Sequence, residues 1–275
     1  MTGLDTGVLP LAATLLATGA VAGVIAGLLG VGGGIVTVPV LEYMLRFAGI
    51  APEWRMHVAV ATSLAAIIPT ALSSLRAHHA RGAVDWALVR SWCAPMLLAA
   101  FAGSLVGGQA KSTVLSAVFG SVALLVALKM VLPLEHLRIC ARPPRGIGGG
   151  AVGAAIGFVS AIMGIGGGTI GVPLMTLMGE SIHRAVATAS AFGLVIGLPG
   201  TLGYLLARPP VAMPALTIGL VSVLGVLLIT PGSMLTAPLG AHFAHRLSRR
   251  ALSAAFGGFL LLVAARMLSR AWLGG

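Results

Sequence analysis

Gly30-Val31-Gly32-Gly33-Gly34-Ile35-Val36-Thr37-Val38-Pro39 breaks an apolar run with four glycines, a threonine and a proline. Each glycine inside a helix costs about 1 kcal/mol relative to alanine, so the break needs a structural or functional reason. The pattern returns 134 positions later as Gly164-Ile165-Gly166-Gly167-Gly168-Thr169-Ile170-Gly171-Val172-Pro173. Two breaks of one form make the interruption a property of the architecture. Working outward, the apolar segments after the two motifs are short: Ile35 to Phe47 would reach about 20 Å as a helix and Thr169 to Gly179 about 16 Å. A bilayer core is about 30 Å thick, so these read as half-helices.

The rest of the chain fixes the solvent. Of 275 residues, 58% are hydrophobic and 8% charged, with a mean hydropathy of +1.05. A soluble domain carries about 25% charged residues, so this chain reads as an integral membrane protein. The formal net charge of +11 comes from Lys and Arg in short clusters between apolar runs, without a basic stripe of interleaved aromatics. That is the look of loops against an anionic membrane surface; no nucleic acid partner is expected. Cys93 lies in an apolar segment and Cys140 in a basic loop, so neither a disulfide framework nor a metal-ligand spacing is available. No cofactor is expected. Residues 1 to 6 have no Lys or Arg and carry Asp5, so the first apolar run reads as retained rather than cleaved.

The duplication extends past the glycines. His57-Val58-Ala59-Val60-Ala61-Thr62-Ser63 matches His183-Arg184-Ala185-Val186-Ala187-Thr188-Ala189, and Leu115 to Gly120 matches Leu252 to Gly257 at an offset of 137. The chain divides into a first transmembrane repeat (1–134), a basic linker (135–145) and a second repeat (146–275). The orientation of the repeats follows from loop charges. If each glycine pair crosses twice, the repeats are parallel and the cations divide equally between the two sides. If each pair enters and returns, the repeats are inverted. Nine cations (Arg76, Arg81, Arg138, Arg142, Arg145, Arg184, Arg246, Arg249, Arg250) then face five (Arg46, Arg55, Lys111, Arg208, Arg270). The positive-inside rule prefers the second arrangement, with an external N-terminus and a cytoplasmic linker. The expected fold is an all-α integral membrane protein of two inverted homologous halves. Each has a Gly-rich broken or re-entrant helix pair and about three full spans.

Broken segments in two related halves point to a transporter's substrate site. Gly32, Gly33, Gly34 and Gly166, Gly167, Gly168 permit positive φ and close backbone approach. Helices starting at Ile35 and Thr169 would present free N–H groups and a positive dipole end to an anion. The competing reading is that the glycines only pack helices. His57 and His183 open matching segments, with Thr62 and Thr188 five residues on, and either bind an anion or act as interfacial caps. Ser63 adds a hydroxyl in the first half only. Arg90, Lys129 and Arg266 read as snorkelling cations. No two of the six carboxylates form a dyad, so no enzyme and no cation carrier is expected.

The Gly30 to Pro39 and Gly164 to Pro173 motifs, His57 to Ser63, and Gly240-Ala241-His242-Phe243-Ala244-His245-Arg246-Leu247 together resemble the TauE/SafE family of sulfite and organosulfonate exporters. The resemblance implies a multi-pass bacterial inner-membrane permease for small sulfur-containing oxyanions. It places the two glycine motifs and the His57 and His183 segments at the core of the transport path. On that reading the backbone after Gly34 and Gly168, hydroxyls such as those of Thr37 and Thr169, and one or both histidines hold the anion near the midplane. The partners are then a small anion and the lipid bilayer, with a homo-oligomer left open. Two other functions compete: a carrier for sulfate, thiosulfate or a carboxylate, and a membrane scaffold that transports nothing.

Overall fold

Proline, glycine and a few caps set where the helices begin and end. The computed structural model of the chain describes residues 15–24, 33–47, 49–131, 140, 142–210, 213, 216–244 and 249–273. Gly30, Val31, Gly32, Arg138 and residues 245 to 247 lie outside them. The helices are α1 (Leu15–Val24), α2 (Gly34–Met44), α3 (Pro52–Ala80), α4 (Trp86–Gln109), α5 (Ser112–Val131), α6 (Gly146–Met163), α7 (Gly168–Leu177), α8 (Ile182–Leu206), α9 (Val223–Ala244) and α10 (Arg249–Leu273). Among the described residues, α3, α4, α5, α6 and α8 are long and apolar enough to cross a membrane. This is an all-α membrane architecture.

Local chemistry accounts for the boundaries. Pro52 starts α3, where its missing N–H costs nothing, with Glu53 in the first turn and His78 and His79 in the last. Asp85 caps α4 by accepting a hydrogen bond from the Leu88 N–H at 3.0 Å. Helix α6 ends at Gly164, whose φ of 73° turns the chain left-handed. There the Gly164 N–H donates to Ala161 O and the Ile165 N–H to Ser160 O, the paired closure of a glycine-terminated helix. The short helices begin at Gly34 and Gly168, each one residue before the start expected from sequence. The apolar residues just before α9 are not helical. Two short antiparallel strands, β1 (Thr217–Ile218) and β2 (Val221–Ser222), precede α9. Hydropathy alone does not separate a short hairpin from a helical start.

Packing follows the duplication. Helix α2 lies on α3 as α7 lies on α8, while α3 packs against α8 and α5 against α10. Polar contacts repeat it. The Thr62 hydroxyl oxygen on α3 accepts from the Ser222 N–H at 3.0 Å, before α9. The Thr188 oxygen on α8 accepts from the Asp85 N–H at 3.0 Å, before α4. Each half therefore supplies the matching threonine to the other half's next helix.

Side-chain contacts also fix where the short pairs begin and end. Arg145, just before α6, and Arg184, in the first turn of α8, both reach Asp85 Oδ2, at 3.7 and 3.1 Å. The residue before α6 and the first turn of α8 thus meet at one carboxylate. Arg270 on α10 reaches Glu42 near the end of α2 and donates to Pro52 O at the start of α3. Positions in α1 pack along α9, Gly19 on Ile229 and Gly23 on Ser233, so these helices run in the same direction.

Candidate functional site

The two breaks meet. A Cβ added at Gly34 would stand 2.9 Å from both Gly164 O and Ile165 Cα, closer than real contacts allow. The start of α2 therefore lies directly on the corner that joins α6 to α7. Val60 of α3 backs this corner, since a Cβ at Gly164 would lie 2.6 Å from Val60 Cα. Behind Gly167 stands Phe192 of α8, its Cβ 2.4 Å from the missing methyl. The start of α2 and the α6–α7 corner thus lie against α3, and α7 begins against α8. Gly164 to Gly167 are buried, and Gly168 is half-buried.

Expected conformations need one correction. Gly33 (φ −65°) and Gly167 (φ −58°) are right-handed, and neither Gly34, Gly166 nor Gly168 has positive φ. The left-handed residue of the second motif is Gly164. What Gly34 and Gly167 provide is room for neighbouring chain to approach. That is also the demand of small-residue helix packing in membranes.

The side chains expected at the site are occupied to different degrees. The Thr37 hydroxyl donates to Gly33 O at 2.9 Å, back along its own helix. Ser63 donates to Gly164 O at 2.7 Å and so fastens the left-handed corner to α3. Its counterpart Ala189 has no hydroxyl to do this. Thr169 is fully buried. Thr62 and Thr188 are also fully buried and carry the cross-repeat hydrogen bonds described above. At the two helix starts the Val36 and Thr37 N–H groups donate to Gly33 O, the Thr169 N–H to Gly166 O and the Gly171 N–H to Gly167 O. The positive dipole ends of α2 and α7 favour an anion over a cation there.

The histidines do not share this junction. His57 is 3% exposed, with Nδ1 3.0 Å from Glu53 O and Nε2 2.7 Å from Ala110 O. Its ring also lies 5.0 Å from that of Trp54. Nε2 ties the start of α3 to the α4–α5 turn, while Nδ1 faces a carbonyl of its own helix. His183 is exposed at the start of α8. Gly193 packs on Ala71 and Gly200 on Leu64, so α3 and α8 are antiparallel and the two histidines lie at opposite ends. The two side chains therefore do not meet at one point.

Other polar groups were missed from sequence. Glu42, placed at the edge of an apolar segment, is 0% exposed and pairs with Arg266 at 3.1 Å and with Arg270. At the equivalent point of the second half, Lys129 donates to Pro173 O at 2.7 Å and to Thr176 Oγ1 at 3.1 Å. Lys129 and Arg266 are therefore not simple snorkelling cations: each reaches across to the short helix of a broken pair. Their spacing of 137, the same as that of the Leu115 and Leu252 segments, was the available signal.

The fold is that of a multi-pass α-helical membrane protein in which the start of α2 meets the corner between α6 and α7. The chain belongs to the sulfite exporter TauE/SafE family, whose profile matches residues 15–267. It is 32% identical over 255 residues to a probable membrane transporter protein of Haemophilus influenzae, covering 92% of this chain and 96% of that one. The probable membrane transporter protein YunE of Bacillus subtilis is 25% identical over 280 residues, with 92% and 96% covered. No solved structure matches the chain. Family membership places the protein among membrane transporters rather than enzymes.

Proposed function

We propose that this protein is a secondary carrier that exports small sulfur-containing oxyanions, such as sulfite or organosulfonates, across the bacterial inner membrane. The observation that carries the reading is the contact of Gly34 with the Gly164–Ile165 corner. It brings the start of α2 onto the corner that leads into α7, so that two positive dipole ends lie close together against α3. The substrate group is held by backbone from Gly33 to Ile35 and from Gly166 to Thr169, with Ser63 fixing the corner and Thr37 and Thr169 beside it. Gly32 completes the first motif in sequence and lies outside the described residues. His57 and His183 act away from this point, as a tether and as a surface group.

Each broken pair enters and returns, and the halves are inverted. Three observations support this: the shared Asp85 contact of Arg145 and Arg184, the contacts of Arg270 with Glu42 and Pro52, and the parallel run of α1 with α9. The linker end then carries the nine-cation side and faces the cytoplasm, with the N-terminus outside. Rocking one half against the other about the α3–α8 pair exposes the junction alternately. An anion leaving a negative-inside cell gains about 2.3 kcal/mol per charge per 100 mV, so export needs no coupled ion.

The test is anion flux from proteoliposomes loaded in turn with sulfite, methanesulfonate, sulfate, thiosulfate and acetate. Sulfite or methanesulfonate is expected to leave fastest under a potential negative inside. A preference for acetate would move the protein to another anion class. Flux equal to that of empty vesicles for every anion would leave the scaffold reading.

A further inference from the structure

A charged cavity lies away from the glycine junction. At the end of the bundle where α6 leaves and α8 begins, a cavity of about 660 Å³ is lined by Asp85, Arg142, Arg145, Glu180 and Arg184, with Leu88 and Pro143 as apolar wall. Three guanidinium groups face two carboxylates there, leaving one positive charge uncompensated. Arg184 pairs with Asp85 and, at 3.6 Å, with Glu180, while Arg145 reaches Asp85 only at 3.7 Å. Arg142 has no carboxylate partner among the described residues. Each guanidinium offers five N–H donors, so most of this donor capacity is unspent. The side chains of Arg145 and Arg184 are 62% and 54% exposed, free to turn toward a ligand.

The backbone adds to the same sign. Arg145 and Ser181 stand at the N-caps of α6 and α8, and neither start has a side-chain cap. The positive ends of these helices lie near the cavity that Arg145 and Arg184 line. Arginine forks match the two-oxygen geometry of sulfonate, sulfite or phosphate groups better than a point charge does.

The geometry points to a binding site for a small oxyanion with a short apolar tail, held by Arg142, Arg145 and Arg184 at the linker end of the bundle. Resting on the transport reading, this cavity is the port where the exported anion is first captured. Asp85 holds both flanks of the α6–α7 pair through the same arginines. An anion that draws Arg145 and Arg184 away from Asp85 therefore loosens the pair whose corner carries the central junction. Capture at the mouth and release of the crossing are coupled through one carboxylate.

Site-resolved arginine modification tests the site on the full-length protein in phosphatidylcholine vesicles. Phenylglyoxal is applied with and without methanesulfonate, and adducts are counted by peptide mass spectrometry. Arg142 and Arg145 are expected to be protected at least fivefold, with exposed Arg81 unchanged as the internal reference. Glu180→Gln, which removes a competing carboxylate, should give the same protection at severalfold less methanesulfonate. Equal modification with and without the anion overturns the site. So does protection by phosphatidylglycerol in the vesicle when methanesulfonate gives none, since the occupant is then a lipid headgroup. Protection without flux keeps the site and sinks the transport reading, whereas flux without protection does the reverse.

Discussion

The ends of the two short helices occupy equivalent places and are stabilised in different ways. At the end of α2, a fully buried Glu42 is clasped by Arg266 and Arg270, and Arg266 also lies 4.9 Å from the Tyr43 ring centre. At the end of α7, Thr176 takes the place of the glutamate, and Lys129 is met by one hydroxyl and the Pro173 carbonyl. The first is a charge-paired lock and the second a neutral latch. Duplication preserved the reach of α5 and α10 to the short helices but not its electrostatics. If the halves move differently during transport, the α7 side is the weaker hold: it has no buried counter-charge to leave behind on opening.

The largest effect should come from breaking the lock. Arg266→Ala with Arg270→Ala strands the Glu42 carboxylate in the protein interior, and about 3–5 kcal/mol of stability should be lost. Thermal unfolding in detergent reads it. A drop no larger than that of Lys129→Met would erase the contrast between the two ends.

Next come the cross-repeat threonines. Thr188→Val removes the acceptor for the buried Asp85 N–H and should cost about 1–3 kcal/mol. Thr62→Val should cost less, because its hydrogen bond with Ser222 is only partly buried. An inverted order in the same unfolding assay would mean that the two bonds are not equivalent in role. Gly34→Ala should also cost about 1–3 kcal/mol, since its methyl meets backbone that cannot step aside. Gly166→Ala should be milder, its nearest neighbour being an Ile67 methyl at an ordinary 3.4 Å. The smallest effect is Lys129→Met, within about 1 kcal/mol, because an isosteric apolar side chain replaces an unpaired cation at the latch.

Much of this could be read from the sequence. The membrane class follows from composition, and the two halves and their breaks follow from repeated glycines and half-length apolar runs. Those signals are local: a few adjacent residues carry each one. What stayed hidden depends on residues far apart in the chain. Thr62 meets Ser222 across 160 positions and Arg266 meets Glu42 across 224. Periodicity says which residue types are buried, not which partner they meet. The histidines show the same limit from the other side. Their matching places in the two repeats suggested a shared site, yet antiparallel α3 and α8 send matched positions to opposite ends. Gly164 was quoted as the first residue of its motif, but only the fold showed it as the left-handed corner, with Ser63 fastened to its carbonyl.

The central claim is that the two glycine crossings form the anion path where they touch. Its most direct test is sulfite efflux from proteoliposomes holding equal amounts of folded wild type, Gly34→Leu, Gly167→Leu and Gly148→Leu, the last an exposed α6 position with open surroundings. Efflux should fall to the empty-vesicle rate in Gly34→Leu and Gly167→Leu and remain near wild type in Gly148→Leu. Wild-type efflux in both junction variants would contradict the claim.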